Sequence, residues 1–265
     1  MENITDRMTM QEELDRLDLM SQMFDLINYG ELHRAPIGNT AQRILDIGFG
    51  TGSWAIPMGD KNPQAEIVGI DISASAPTWV PPNVRFEIAD VEDELIFSAP
   101  FDYIHCRYMA GAIKDWPQLI RRSFENLRPG GWAEFADLDV DYYSQDGTLT
   151  EDHALIRWIK IALQGMEDMG RTLRPGKKLE GWMRDAGFVN LKVVRDQVPV
   201  GRWPKDKRLK QIGLINFVQL HEGLTGLNVR LFCDFLGWSR EDLDILLMEV
   251  RADFRNPAIH SMYDM

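Results

Sequence analysis

Six residues in the first third of the chain have types and spacings that could do chemistry together. Asp46 closes the apolar, β-prone run Arg43-Ile44-Leu45, and Gly48, Gly50 and Gly52 follow at alternate positions. Alternating glycines let a backbone turn through positive φ and bring a ligand against the main chain without Cβ interference. The helix expected next offers free N–H groups at its start. Asp71 stands 19 residues beyond Gly52, at the end of a second apolar run, Glu66-Ile67-Val68-Gly69-Ile70. That interval suits a helix plus a parallel strand, and a carboxylate there is placed to accept hydrogen bonds from two ribose hydroxyls. Ile72 adjoins it in the same candidate site. A third run, Val84 to Ala89, leads to Asp90 and Val91. This carboxylate could pair with an exocyclic adenine amine while the valine flanks the ring.

A fourth strand is expected over Phe101-Asp102-Tyr103-Ile104-His105-Cys106. In an open parallel sheet, ligands bind outside the carboxyl ends of the strands where the strand order switches. His105, Cys106 and Arg107 therefore come out near a transferable group, with His105 and Arg107 as the candidate catalytic residues. His33 and His221 are further candidates for a base, which an acceptor hydroxyl would need within hydrogen-bond reach. His153 and His260 read as surface or packing residues. Glu134, Asp137 and Asp139, around the end of a fifth strand, either bind a polar acceptor or form a solvated loop.

The elements that must hold these residues follow from periodicity. Met10, Leu14, Leu17, Met20, Phe24 and Ile27 recur at intervals of three and four, marking an amphipathic helix over 8–30. A loop, Leu32 to Gly38, leads into the first strand. Pro57, inside the first helix after the glycines, is expected to bend its first turns. Pro77, Pro81 and Pro82 keep 72–83 extended or turned. A helix from about Trp116 to Leu127 and the turn Arg128-Pro129-Gly130-Gly131 precede the fifth strand, Trp132 to Asp137. Helices at about 152–169, before Gly187, at 205–224, 228–236 and 239–254 fill the second half, with a strand at 189–199 and a final edge strand over 259–263.

The bulk numbers bound the function class. A chain of 265 residues with 45% hydrophobic residues supports a sizeable core, and no run of some 18 apolar residues indicates a membrane span. Met1 to Asp6 lacks the basic-then-apolar pattern of a secretory leader. Cys106 and Cys233 lie far apart and outside any Cys/His cluster, so neither a disulfide nor a metal site is indicated, and a cytoplasmic location is expected. The net charge of −12 disfavours nucleic acid, whose phosphates call for a basic stripe.

The GxGxG spacing differs from the dinucleotide pattern GxGxxG and resembles the first motif of class I S-adenosylmethionine-dependent methyltransferases. ILDIGFGTGSWAIPM, IVGIDIS, WVPPNVRFEIAD, FDYIHCRYMAGAIKDWPQL and LRPGGWAEF together resemble the fungal family that includes the LaeA-type, velvet-associated regulators of secondary metabolism. The resemblance implies an α/β fold, a Rossmann-like, seven-stranded and mostly parallel sheet with helices on both faces, its last strand antiparallel, and a helical lid. It implies bound S-adenosylmethionine, released as S-adenosylhomocysteine. Gly48, Gly50 and Gly52 would lie against the methionine part, Asp71 at the ribose, Asp90 and Val91 at the adenine, and the Cys106 backbone near the methionine amino group.

The expected organisation is a helical cap over 1–38 and a cofactor-binding domain over 39–265, with lid segments at about 150–186 and 203–254. The leading function is methyl transfer to a small-molecule acceptor. A cyclase holding the cofactor as a bound cation and a regulatory module remain alternatives. A homodimer or a velvet-type protein is the possible partner.

Overall fold

A computed structural model describes residues 9–265 except 39, 78 and 95. The stretch Met1 to Asp6 considered for a leader lies outside the described residues. The elements run α1 (Met10–Ile27), β1 (Arg43–Ile47), α2 (Ala55–Lys61), β2 (Glu66–Asp71), β3 (Val84–Ile88), β4 (Phe101–Arg107), α3 (Trp116–Glu125), β5 (Leu127–Ala136), β6 (Asp139–Tyr143), α4 (Ala154–Asp168), α5 (Gly176–Ala186), β7 (Gln197–Pro199), α6 (Lys207–Val229), a π-helical turn (Arg230–Phe235), α7 (Arg240–Arg255) and β8 (Met262–Asp264).

Contacts divide them into two compact units. One, Asn28–Leu138 with Arg174–Val194, holds a sheet in the order β3-β2-β1-β4-β5. Every pairing in it is parallel, with Asp46 beside Gly69 and His105. The strand order reverses between β1 and β4, which puts the ligand-binding crevice of a doubly wound sheet at Ile47 and Cys106. Parallel strands covered on both faces are apolar nearly throughout, and β1, β2 and β4 are buried along almost their whole length. One face carries Leu45, Ile47, Ile104, Cys106 and Trp116 from α3; the other carries Ile44, Tyr103, Trp54 and Met58 from the α2 side. On the first face α5 joins α3, with Trp182 stacked on Trp116 at 6.1 Å.

The other unit comprises the segment ending at Ile27, Asp139–Leu173 and Arg195–Met265. Here α1 packs on α6 and α4 on α7, beside a three-stranded antiparallel sheet ordered β6-β8-β7. The expected lid segment 150–186 thus has α4 in this unit and α5 in the sheet unit.

Several expectations are corrected. The described parallel sheet has five strands, not seven. The remaining three pair among themselves, and β8 lies at the centre of their sheet, not its edge. The strand expected at 189–199 shortens to Gln197–Pro199, paired with Met262–Asp264 and flanked by backbone hydrogen bonds of Asp196 to Met265 and Val200 to Ser261. Arg128 to Gly131 is not a separate turn: β5 begins at Leu127, and the excess residues bulge between the pairs Phe101–Leu127 and Tyr103–Trp132. Pro57 stands in the first turn of α2, where its missing N–H has no intrahelical acceptor to leave empty.

Candidate functional site

The turn between β1 and α2 is built by the three glycines. Gly48, Gly50 and Gly52 take φ of +76°, +54° and +77°, left-handed values that side-chain-bearing residues seldom adopt. A Cβ on Gly48 would lie 2.4 Å from the Met109 sulfur, and one on Gly52 2.9 Å from the Phe86 ring. The turn is tied to β2 by Gly48 N–H donating to the Ile70 carbonyl at 2.8 Å. Gly50 N–H donates to Asp71 Oδ2 at 2.9 Å. Asp71 Oδ1 accepts from the backbone and hydroxyl of Ser73 at 2.9 and 2.7 Å, and Ser75 donates to the Gly50 carbonyl at 2.6 Å. One carboxylate therefore organises both the glycine turn and the loop after β2. Beside it Ile72 is 72% exposed, a large apolar side chain left to solvent at the sheet's carboxyl edge.

At the end of β3, Asp90 Oδ1 accepts from Glu92 N–H at 2.9 Å, an Asx turn that leaves Oδ2 outside that bond. Val91 packs against the α3-side core. Arg122 of α3 donates to the carbonyls of Glu92 and Asp93 at 2.6 Å each, and Glu92 accepts from Lys114 and Asp115 N–H at 2.9 Å. The turn that carries Asp90 and Val91 is thereby clamped to α3.

The expected catalytic residues divide. His105 is only 2% exposed; its Nδ1 lies 2.8 Å from Asp46 Oδ1, and its ring stacks on Trp54 at 3.8 Å and 4°. A histidine so enclosed holds its neighbours in place and has no open edge for a general base. Arg107 stands half-buried at the last position of β4, beside Ala136. Cys106 is buried, and desolvation pushes its thiol well up, reinforced by the negative charges of Asp137 and Asp46. Such a thiol stays protonated and offers no nucleophile.

The acids around the end of β5 prove to be backbone organisers. Asp137 Oδ2 accepts from Met109 N–H at 2.7 Å, and Oδ1 from Leu138 at 2.8 Å and Ala110 at 3.2 Å, which shapes the loop after β4. Glu134 Oε2 accepts from the N–H groups of Arg34 and Ala35 at 2.8 Å each and from the Tyr103 hydroxyl at 3.2 Å. With Trp54 Nε1 donating to the Leu32 carbonyl at 2.6 Å, this fastens residues 32–35 to the sheet. His33 Nδ1 meets the Ala35 carbonyl at 2.8 Å, and since a carbonyl only accepts, Nδ1 carries the proton. Asp139 belongs to the other unit.

The remaining histidines have local partners. His221 Nε2 accepts from Arg255 at 2.7 Å, and burial followed by the Arg255 charge lowers its pKa. His153 Nδ1 accepts from Thr150 N–H at 3.0 Å ahead of α4. His260 Nδ1 meets Asp146 at 2.5 Å.

Two buried acceptors have no hydrogen-bond partner among the described residues of this region: Asp46 Oδ2 and Thr51 Oγ1, both in the β1–α2 segment. Orphaned buried acceptors are costly and mark places completed by a ligand, water or ion. A left-handed glycine turn, a carboxylate at each of the next two strand ends and orphaned acceptors behind the turn fit a nucleoside cofactor with an amino-acid tail. No group of three or more potential metal ligands occurs among the described residues. Sequence reasoning missed Met109, Ser73, Ser75 and Arg122. Ser73, two residues after an aspartate, carries a local turn signal; the other contacts join elements distant in sequence.

Comparison with known proteins places the chain in a family. The family model described as a methyltransferase domain matches residues 17–193. The chain is 43% identical over 253 residues to methyltransferase pytC of Aspergillus terreus, covering 95% of this chain and 78% of that protein. It is 32% identical over 251 residues to the probable methyltransferase tdiE of Emericella nidulans, covering 95% and 79%. It is also 32% identical over 256 residues to the secondary metabolism regulator LAE1 of Cochliobolus heterostrophus, covering 94% and 83%.

Proposed function

The chain belongs to the methyltransferase-domain family and is an S-adenosylmethionine-dependent methyltransferase; we propose that it methylates a small secondary metabolite and that the residues above divide the cofactor between them. The glycine turn takes the methionine part, with Cys106 beside its amino group. Asp71, with Ile72 beside it, takes the ribose, and Asp90 with Val91 the adenine. The observation that carries this reading is the turn itself: three left-handed glycines closed by the Gly50–Asp71 hydrogen bond.

The cofactor supplies an electrophilic methyl group on a sulfonium. The chain's part is to hold that methyl in line with an acceptor lone pair and to exclude water, and alignment alone removes much of the barrier. Arg107, ending β4 at the switch in strand order, is the residue we assign to the acceptor side. Two free cysteines suit a reducing cytoplasm, and no described helix is long and apolar enough to cross a membrane.

A regulatory role, as a homodimer or with a velvet-type partner, is the second reading. It is favoured by the similarity to a protein named as a secondary metabolism regulator. Calorimetric titration with S-adenosylmethionine and S-adenosylhomocysteine, on wild type and Asp71→Ala, separates the readings. Binding of both by wild type, lost in the variant, together with labelled methyl appearing in a metabolite extract, supports the enzyme. Binding without any labelled product, and a stable heteromeric complex, would favour the regulator.

A further inference from the structure

The row Asp46–His105–Glu134 crosses three adjacent strands in register on one face of the parallel sheet, with β4 in the middle. Glu134 is engaged by Arg34, Ala35 and Tyr103. Among the described residues Asp46, 2% exposed, has one hydrogen-bond partner, His105 through Oδ1, while Oδ2 is buried with none. A buried carboxylate with a vacant oxygen is expensive unless a positive group or donor reaches its field. Asp46 lies two residues before Gly48, the first residue of the cofactor turn.

We propose that His105 is a positioning residue: through Asp46 it sets the affinity of the site for the methionine ammonium of the cofactor. This rests on the cofactor reading above. The imidazole fixes the Asp46 carboxylate through Oδ1, and Trp54 lying flat on the ring at 3.8 Å fixes the imidazole. The carboxylate is then held at one distance behind the turn. Its attraction for a cation acts across several ångströms in such low-dielectric surroundings. No proton moves between His105 and the acceptor, which accounts for a histidine at the carboxyl end of β4 that is closed to solvent. Trp54 serves twice, since its Nε1 also holds the Leu32 carbonyl.

The test compares two ligands that differ only at the amino-acid end. S-adenosylhomocysteine carries the ammonium, and methylthioadenosine has the same nucleoside thioether without it. Titration calorimetry is run on wild type, His105→Leu, His105→Asn and Asp46→Asn, with folding checked by circular dichroism. His105→Leu is expected to weaken S-adenosylhomocysteine at least tenfold while leaving methylthioadenosine within about twofold, because only the former reports the ammonium. His105→Asn, which keeps a donor near the Nδ1 position, is expected to restore most of the loss. In the Asp46→Asn background, His105→Leu should cost nothing further, as coupled residues are non-additive. Equal weakening of both ligands, or weakening of neither, would overturn the proposal and leave His105 a packing residue. Failure of wild type to bind either ligand would overturn the cofactor reading itself, and this proposal with it.

Discussion

Asp71 Oδ2 and the backbone nitrogen of Gly50 lie 2.9 Å apart, joining the end of β2 to the middle of the glycine turn. The same carboxylate holds Ser73 through its other oxygen, so the residue that would meet the ribose also shapes the loop around it. Removing it has two separable effects. Asp71→Ala is expected to weaken S-adenosylhomocysteine by tenfold or more, at least about 1.4 kcal/mol. It is also expected to lower unfolding stability by about 1–3 kcal/mol through the donors left unpaired. Calorimetry reads the first and urea unfolding the second. Unchanged affinity in a folded variant would remove Asp71 from the cofactor site.

Gly52 accepts a side chain only at a cost. Its φ of +77° is left-handed, and a Cβ would press on the Phe86 ring at 2.9 Å. Gly52→Ala is expected to cost roughly 1–3 kcal/mol of stability from backbone strain and to weaken cofactor binding. Gly130→Ala serves as a control. Gly130 also has positive φ, at +82°, but among the described residues nothing beyond its chain neighbours lies within 4 Å of its Cβ position. It should lose stability from strain and leave affinity intact.

Glu134 gathers two backbone N–H groups and a tyrosine hydroxyl. Glu134→Leu is expected to release residues 34–35 from β5 and to destabilise the chain by about 2–4 kcal/mol. Faster amide hydrogen exchange at Arg34 and Ala35 would accompany it. Full retention of exchange protection there would show that the loop is held by other contacts.

The loop that carries Asp146 should respond to acid. The Thr148 hydroxyl, then His260, hold the Asp146 carboxyl down to about 2. A carboxyl depressed in the folded state adds stability that is present above its ordinary range and is lost as pH falls toward 2. Thr148→Ala is expected to raise the Asp146 pKa and move the onset of acid unfolding to higher pH. A carboxyl-detected NMR titration follows Asp146 directly, and an unchanged midpoint would show that Thr148 does not control it.

By itself the sequence determined the glycine turn, the first four strands and the acids at their ends. These are local features: apolar runs set the strands, and only glycine accepts three successive left-handed turns at alternate positions. The places of Asp71, Asp90 and Val91 were legible because they follow from where a strand stops. What only the tertiary structure decided is which side chains face one another. His105 has the same sequence neighbourhood whether its imidazole reaches an acceptor or, as found, lies between Trp54 and Asp46. Glu134 meets residues about a hundred positions away, at Arg34 and Ala35. β8 finds β6 and β7 across the intervening helices, drawing three strands into a sheet of their own. Strand propensity is local, but the choice of partner depends on which edges and faces remain after the rest of the chain has packed.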